Sequence, residues 1–532
     1  MLNVRTATAG FLLLVATGTF AQRAENGTVH VACAESGASC AQALQDVVDT
    51  VPPGTTITLA AGKLYDGTIV IRPKPGAASD KPLTITTRGW TDKGVGWDGL
   101  VTPADKPRMA VLRATARENV GIAIKNGAGH VNLFGVALEA IRPSGQGDII
   151  RIGSSTERLA ENMPRHISIR QVLIQGDRRY GQKRAIAANG QDIDISQLWC
   201  DEIFIAGQDA QCIAAWNGGK RVRIRYAYLA AGAENIIVGG VPIASAEMAP
   251  EDWLIEDVIL HKPLRWREDG GKRQVKNLLE FKYGKNITVR RVLGVNNWRE
   301  AQDGTALLLN FTTNGRCPHC GNLENVLIED LVMLNVGSGI SFQGHSWQRN
   351  SHSTGKLRNV TIRNAYVHMA GAGGSIQIGN VHGRHDIRIE RSTFVNNGHA
   401  WLTGSFGYAW TDIETRVPGE PMEGLWLIDN VFAANGRYGI TAPDGRHHGS
   451  GIEGFVRDDL QIAGNVLGDA PPRHLGHYNR HTEGGSDNIS ARRDEMIAKL
   501  TARACGQWSP AKGADCSRLT SVFELLKRLP EP

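Results

Sequence analysis

A short alternating pattern that returns eleven times is the feature that most constrains the fold of this chain. Each copy is four residues long with apolar residues in second and fourth place, as in His166-Ile-Ser-Ile and Asn286-Ile-Thr-Val. The copies begin at residues 130, 166, 192, 221, 252, 286, 325, 359, 386, 425 and 459, so neighbouring copies are 26 to 39 residues apart. Alternation with period two is typical of a strand with one buried face. A unit this small buries its apolar row only by stacking on its neighbours, which predicts a solenoid.

A second short strand lies between successive copies, as in Asn235-Ile-Ile-Val, Gly339-Ile-Ser-Phe and Ser375-Ile-Gln-Ile. Between the copies no helical pattern extends over ten residues. We therefore predict an all-β chain that forms a right-handed parallel β-helix, with an N-terminal helical cap and a C-terminal helical tail. A β-propeller is the main alternative, but its blades repeat every ~40–45 residues, which fits these shorter and irregular spacings less well.

The two ends of the chain differ from the repeats. Arg5 and a short apolar run after it predict a secretory signal peptide that is cleaved after Ala21. An amphipathic helix is predicted at 41–51, and two further helices at 491–503 and 520–528. The four predicted regions are a signal peptide (1–21), an N-terminal cap (22–54), the β-helix (55–470) and a C-terminal cap or tail (471–532).

The first apolar run also determines the expected compartment. It is too short to span a bilayer, and no other stretch approaches the ~20 apolar residues that a spanning helix needs. We expect a secreted or periplasmic protein without a membrane span; an uncleaved anchor is the alternative.

The eight cysteines occur as neighbours along the chain, and an even number in an exported protein favours disulfides. The predicted pairs are Cys33–Cys40, Cys200–Cys212, Cys317–Cys320 and Cys505–Cys516. The spacing of Cys317 and Cys320 also occurs in redox motifs, but no helix of a βαβ unit is predicted there. A zinc site at this pair would need two further ligands.

Two segments near the N-terminus resemble a known group of proteins. They are PGTTITLAAG at 53–62 and IVIRPKPGAASDKPLTITT at 69–87, followed by the coils. This order resembles exported bacterial β-helix proteins that are related in architecture to pectate lyases, alginate lyases and chondroitinase B. The resemblance supports the fold and implies an acidic polysaccharide as a possible substrate.

The segment from Asn277 to Gly284 is the most suggestive for chemistry. Strand alternation predicts that Leu279 and Phe281 face inward, while Glu280 and Lys282 share the outer face. On the next two coils, Asn310 and Gln343 are expected to follow the row of Lys282. The sequence therefore predicts a polar strip on the outside of one sheet.

This strand also resembles the catalytic strand of the alginate lyase and chondroitinase B family, in which acidic residues bind calcium and a following lysine is the base. The resemblance implies that Glu280 is a calcium ligand and that Lys282 removes a proton from the substrate. The family's second acidic residue is replaced by Leu278, and its later arginine has no match here. A surface ion pair without a catalytic role is the alternative.

Loops near this strand supply candidate substrate-binding residues. A basic insertion precedes it, and Trp298 follows on the next turn; either could bind sugars or be a solvated loop. A glycine-rich segment further on presents aromatic residues suited to stacking on sugar rings. The candidates are Lys262, Arg265, Trp266 and Arg267 in the insertion, Trp298, and Trp401, Tyr408 and Trp410 in the glycine-rich segment.

Three functions are compatible with these observations. The leading hypothesis is a lyase that cleaves a uronate-containing polysaccharide by β-elimination, with calcium as a possible cofactor. A glycoside hydrolase on the same scaffold is the second, and a non-catalytic glycan-binding or surface protein is the third. The carboxylates considered for hydrolysis are Asp192, Asp194, Asp201, Glu202 and Glu234. The formal net charge of +6 is compatible with an acidic polymer, and we expect no nucleic-acid partner and a monomer.

Overall fold

A computed structural model gives the architecture. It describes residues 21–25, 27–114, 120–140, 147–241, 243–310, 321–343, 356–370, 374–379, 383–396, 402–405, 422–433, 440–441, 459–467 and 513–530. The strands within these residues form one sheet of 23 strands and one of 12. Apart from one antiparallel pair at the N-terminus, each strand pairs in parallel with its counterpart one coil away. The right-handed parallel β-helix predicted from the repeat is confirmed.

Each coil has three faces, because two successive strands of a coil belong to the larger sheet and the third belongs to the smaller sheet. Strands of the first face are Ala21–Glu25, Thr28–Val31, Thr56–Leu59, Leu83–Thr87, Gly129–Phe134, Arg165–Arg170, Gln191–Ser196, Gly383–Glu390, Met422–Ile428 and Leu460–Ala463. Strands of the second face are Leu64–Asp66, Ala110–Ala114, Val136–Ala140, Leu173–Gln175, Trp199–Ile203, Thr393–Asn396, Val431–Ala433 and Val466–Leu467. Five long strands continue through both faces: Lys220–Ala231, Glu251–His261, Gly284–Asn297, Leu323–Val336 and Leu357–Met369.

The third face is the smaller sheet. Its strands are Ile69–Ile71, Ile122–Ile124, Asp148–Ile152, Arg184–Ala188, Gln211–Ala215, Glu234–Val238, Asn277–Phe281, Thr305–Asn310, Ser338–Gln343, Ile376–Gly379, Leu402–Ser405 and Ile440–Thr441. The chain therefore passes through the first, second and third faces in turn and then begins the next coil one strand further along.

Left-handed residues form the corners between the faces and explain why most repeats open with a polar residue. Asn286 and Asn325 have φ of 55° and 54°, and five positions after them Arg291 and Asp330 have φ of 52° and 54°. Asparagine and aspartate tolerate this conformation better than most residues do. The opening asparagines also stack, since Asn325 Nδ2 donates to Asn286 Oδ1 over 3.0 Å. The copy that the sequence places at residue 425 opens one residue earlier, at Gly424, whose φ is 81°.

The core is made of the apolar rows that the repeat predicts. Ile193, Val222, Trp253, Ile287 and Val326 pair in register on successive coils. None of these side chains is more than 1% exposed. Because side chains alternate between the two faces of a strand, the same register places every second residue outside, where the candidate site is found.

Helices lie at both ends of the described chain and at one insertion. The helix α1 (Ala38–Thr50) confirms the predicted cap helix and buries Leu44 and Val48 against the first coils. The parallel sheet begins before it, at Thr28–Val31, so the solenoid starts earlier than the predicted residue 55. A four-residue helix, α2 (Arg265–Glu268), forms in the basic insertion. Short 3-10 turns cover Trp97–Gly99, Pro103–Arg108, Ala160–Asn162 and Ala246–Met248.

The C-terminal helix lies along the side of the solenoid. Helix α3 (Cys516–Phe523) continues into a 3-10 turn, Glu524–Arg528, and agrees with the helix predicted at 520–528. Phe523 packs with Tyr366 at a ring-centroid distance of 5.7 Å on the outside of the second face. This part of the tail therefore braces the flank of the middle coils. The helix predicted at 491–503 lies outside the described residues.

Two of the predicted disulfides are present, Cys33–Cys40 and Cys200–Cys212. Cys516 is also disulfide-bonded, whereas Cys317, Cys320 and Cys505 lie outside the described residues. The predicted signal peptide falls almost wholly on residues that the structure does not describe. In the described part of the chain, no helix is both long and apolar enough to cross a membrane.

Candidate functional site

The predicted polar strip lies on the outside of the third face. Leu279 and Phe281 are fully buried in the core, so Glu280 between them faces outward. Along the sheet Glu280 pairs with Leu308, which pairs with Ser341. Asn310 pairs with Gln343, and it follows Leu309, the partner of Phe281. The register of the predicted strip is confirmed, and Asn310 and Gln343 are half-buried in it.

Glu280 and Lys282 form an ion pair that is more enclosed than a surface pair. Lys282 Nζ lies 3.3 Å from Glu280 Oε1, and Asn277 Nδ2 donates to Glu280 Oε2 over 2.9 Å. The Glu280 side chain is only 3% exposed, against 31% for Lys282. Gly239 makes room for the lysine, because a Cβ atom at this glycine would lie 2.8 Å from Lys282 Cβ. The pair is thus packed into the sheet surface.

Glu234, one coil earlier, adds a second carboxyl group to this site. It begins the strand next to Asn277 and is 1% exposed. Gln211 Nε2 donates to Glu234 Oε2 over 2.8 Å. Burial, and then the neighbouring Glu280, raise the pKa of Glu234 to about 8. At neutral pH this carboxyl group is therefore mostly protonated, beside a glutamate that is paired with a lysine.

A further ion pair lies close to Glu234. Lys276 Nζ is 2.5 Å from Asp209 Oδ1, and their side chains are 16% and 45% exposed. Asp209 raises the pKa of Glu234 and Lys276 lowers it, so both act on the acid from nearby. The residues of this site that the sequence does not single out are Asp209, Gln211 and Asn277, whereas Lys276 belongs to the basic insertion predicted to bind polymer. In the sequence Glu234 stands as an isolated carboxylate, because its spatial neighbour Glu280 is distant in the chain.

The charge environment of Lys282 bears on its predicted role as a base. Glu280 raises the pKa of Lys282, and this outweighs the opposite effect of burial. A lysine can remove a proton only when its pKa falls towards the working pH. In this environment Lys282 carries a proton and a positive charge, which suits pairing with a carboxylate better than removing a proton.

The described residues around Glu280 do not fit a calcium ion. Both of its oxygens already accept hydrogen bonds, from Asn277 and Lys282, and the ammonium group would repel a cation. Calcium takes six to eight oxygen ligands. Within the described ranges, no group of three or more His, Cys, Asp or Glu residues is placed to hold a metal ion. A role for calcium stays a prediction that an activity assay with and without the ion can test.

Two residues of the basic insertion, Lys262 and Trp266, point inward, so their predicted contacts with polymer are wrong. Lys262 is 0% exposed and Trp266 is 1% exposed. Trp266 packs edge-on against Phe204 at 5.4 Å and donates through Nε1 to Glu202. Trp266 is buried because α2 packs on the outside of the second face. Arg267 is exposed, and its contact with polymer stays a prediction.

Lys262 instead holds the corner between the second and third faces. Its ammonium group donates to the carbonyl oxygens of Ala231, Gly232 and Ala233 over 2.9, 2.6 and 2.9 Å. These three residues form the turn that leads directly into Glu234. Burial lowers the pKa of Lys262 to about 7, although Glu234 opposes this. Lys262 is therefore a structural residue beneath the site.

Replacing Lys262 by methionine is expected to lower the free energy of unfolding by about 2–4 kcal/mol, because buried carbonyl groups lose their donor. The change keeps the length of the side chain, so the loss reports the hydrogen bonds more than a cavity. Chemical denaturation at pH 6 measures it. The control is Arg267→Met on the exposed side of α2, which should change the stability by less than about 0.5 kcal/mol. Equal stability of Lys262→Met and the wild type would contradict this role.

Most of the remaining candidates form ion pairs, and the predicted role of the aromatic candidates stays a prediction. Arg265 Nη2 lies 2.6 Å from Glu202 Oε1 and 3.4 Å from Asp201 Oδ1, and its side chain is 37% exposed. Burial, and then Glu202, raise the pKa of Asp201 to about 6. Asp192 and Asp194 are ion-paired with Arg221 and Arg225 on the first face. Trp298 is partly buried, and Trp401, Tyr408 and Trp410 lie outside the described residues.

No described protein family matches the chain, and no curated protein matches its sequence. Similar solved structures include the catalytic domain of a GH87 α-1,3-glucanase in complex with nigerose, at 10% identity and a TM-score of 0.49, over 83% of this chain and 70% of that one. The PL6 family alginate lyase AlyGC is similar at 14% identity and a TM-score of 0.45, over 81% of this chain and 52% of that one.

The periplasmic alginate epimerase AlgG is similar at 10% identity and a TM-score of 0.39, over 83% of this chain and 85% of that one. The chain thus spans about half the length of the lyase. These neighbours are right-handed parallel β-helix enzymes. At these identities and TM-scores the likeness carries no information on the reaction or substrate of this chain.

Proposed function

We propose that this protein is a polysaccharide-active enzyme whose reaction uses Glu234 and Glu280 on the outside of the third face. The observation that supports this is the pair of unlike carboxyl groups. The pKa of Glu234 is raised to about 8, whereas Glu280 is bound in an ion pair with Lys282. Two carboxyl groups kept in different protonation states by their surroundings are the usual basis of acid–base catalysis.

Hydrolysis of a glycosidic bond is the reaction that this pair serves best. Protonated Glu234 would donate its proton to the leaving oxygen, and Glu280 would act as base or nucleophile on the other side of the sugar. Both side chains are at most 3% exposed, so a bound polymer must first displace the side chains of Lys276 and Lys282 that lie near them. Binding energy from the rest of the polymer can drive that displacement.

Elimination on a uronate-containing polymer is the second candidate, and the register of the strip favours it. Asn310 and Gln343 follow the row of Lys282 and could neutralise the carboxylate of a uronate, as elimination requires. The raised pKa of Lys282 argues against its role as the base in this reaction. An exported location, inferred from the predicted signal peptide, would bring either enzyme to extracellular polymers.

A panel of neutral and acidic polysaccharides, assayed with calcium and with a chelator, distinguishes the candidates. We expect new reducing ends without ultraviolet absorbance from unsaturated ends, and no loss of activity with the chelator. Absorbance together with reducing ends would identify a lyase and overturn hydrolysis, and dependence on calcium would support the metal predicted from the sequence. Binding of a polymer without either product would support the non-catalytic alternative and overturn the proposal.

A further inference from the structure

A chain of hydrogen-bonded side chains crosses four coils of the third face and ends on Glu234. Asp148, Arg184, Gln211 and Glu234 begin successive strands and pair in register. Arg184 Nη1 donates to Asp148 Oδ1 over 2.6 Å, and Arg184 Nε donates to Gln211 Oε1 over 3.2 Å. Gln211 Nε2 then donates to Glu234 Oε2 over 2.8 Å. Arg184 is also held from the side, because its guanidinium lies 4.4 Å from the centre of the Trp216 ring.

The donor and acceptor roles in this series of hydrogen bonds follow from the chemistry of the side chains. A guanidinium group has five donors and no acceptor, so Arg184 can only donate. The Gln211 oxygen must therefore face Arg184, and this leaves the Gln211 amino group to face Glu234. An amino group cannot accept a proton from a carboxylic acid. The acidic proton of Glu234 is consequently confined to Oε1, the oxygen that does not contact Gln211.

We propose that Arg184 is a positioning residue that acts on Glu234 through Gln211, so that the acid presents its proton on Oε1. The proposal deepens the proposed function and rests on it for its catalytic meaning, since it says how the general acid is oriented. Without Arg184, the Gln211 amide could turn over and accept the proton of Glu234. The acid would then be bound to its neighbour and held back from a substrate.

The other charged groups around Glu234 are the same whether or not Arg184 is present. The charged side chains that act on it from the neighbouring turns and strands are Glu280, Asp209, Lys276, Lys282 and Lys262. The hydrogen bond from Gln211 lowers the pKa of Glu234, and an amide that turns over would instead stabilise the protonated form. Loss of Arg184 should thus raise the pKa of Glu234.

Infrared titration of Arg184→Gln tests the proposal without any substrate. The C=O band of protonated Glu234 is identified by its absence in Glu234→Gln and is followed as the pH rises. We expect it to disappear about one pH unit higher in Arg184→Gln than in the wild type. Arg184→Lys keeps a donor for Gln211 and should restore most of the wild-type titration. If activity is found, the alkaline limb of the pH–rate profile should move by the same amount.

Arg151→Gln is the matched control. Arg151 also pairs with Asp148, over 2.9 Å, but it makes no contact in the chain towards Gln211. Its loss removes the same charge from the same carboxylate and should leave the titration of Glu234 nearly unchanged. Equal shifts in the two variants, or none in Arg184→Gln, would overturn the proposal. Should Arg184→Gln fail to fold, Gln211→Met must show the same upward shift, and an unshifted band there would be equally decisive. If the protein cleaves no polysaccharide, the proposed function is overturned, but the titration still tests whether Arg184 acts on Glu234 through Gln211.

Discussion

Replacing Glu234 by glutamine is expected to lower kcat/KM at pH 7 by about 10²–10⁴-fold on the polysaccharide that the panel identifies. Glutamine keeps the shape of the side chain and cannot donate an acidic proton to the leaving oxygen. For the same reason the wild-type activity should fall as the pH rises through about 8, where Glu234 loses its proton. Steady-state kinetics between pH 5 and pH 10 measure both effects.

The stability of the same variant separates catalysis from folding. The pKa of Glu234 is raised from the ordinary ~4.3 to about 8, so the folded state binds more protons than the unfolded chain between these values. The stability that this group contributes is fully present below about pH 4 and is lost as the pH rises through 8. Glu234→Gln should therefore be at least as stable as the wild type above pH 8. Asp192→Asn on the first face serves as the kinetic control and should keep the wild-type activity. Full activity of Glu234→Gln would exclude Glu234 as the acid.

Replacing Lys282 by methionine is expected to lower the free energy of unfolding by about 2–3 kcal/mol and kcat/KM by at least about 10²-fold. The Glu280 carboxylate is 3% exposed and would keep Asn277 as a partner while losing its counter-charge. We expect a smaller loss in the free energy of unfolding than for a fully buried ion pair, because the Lys282 side chain is 31% exposed. From the sequence alone, a surface lysine would be expected to have almost no effect on stability.

Two further variants separate the possible roles of Lys282. Lys282→Arg keeps the positive charge but cannot act as a base, since arginine stays protonated in proteins. If the lysine serves as the partner of Glu280, this variant should keep most of the stability and activity to within about tenfold. If it serves as the base of an elimination, activity should fall as far as in Lys282→Met. The double variant Lys282→Met with Glu280→Gln should regain stability without regaining activity, and stability as low as that of Lys282→Met would contradict the ion-pair role.

The predictions that held are those that depend on the alternation of side chains along a strand. The inward direction of Leu279 and Phe281, the outward direction of Glu280 and the alignment of Asn310 with Gln343 all follow from period-two geometry. The cap helix and the pairs Cys33–Cys40 and Cys200–Cys212 involve residues close in the chain, so local pattern was sufficient. The polar opening of the repeats was visible too, although its cause, the left-handed corner, became clear only from the backbone.

The predictions that failed concern side chains in the turns between strands. A basic stretch with a tryptophan reads as a surface loop, yet Lys262 donates to three carbonyl groups of the preceding coil and Trp266 packs on Phe204. Such contacts join residues about 30 or more positions apart in the chain, across turns whose path has no periodic signal. Composition therefore indicated exposure where the three-dimensional path produced burial.

The sequence by itself predicted the β-helix and the outward rows of its strands, because each short unit, with an apolar residue at every second position, buries that row by stacking on its neighbours. It also determined that Glu280 and Lys282 share a face. Only the tertiary structure decided that Glu234 lies beside them and that its pKa is raised. The same holds for the hydrogen bonds that connect Arg184 to Glu234 through Gln211. The physical reason is that irregular turns decide which side chains meet at the start of each strand. The pKa of a side chain depends on its burial and on neighbouring charges. Both depend on these contacts and not on the alternation of side chains along a strand.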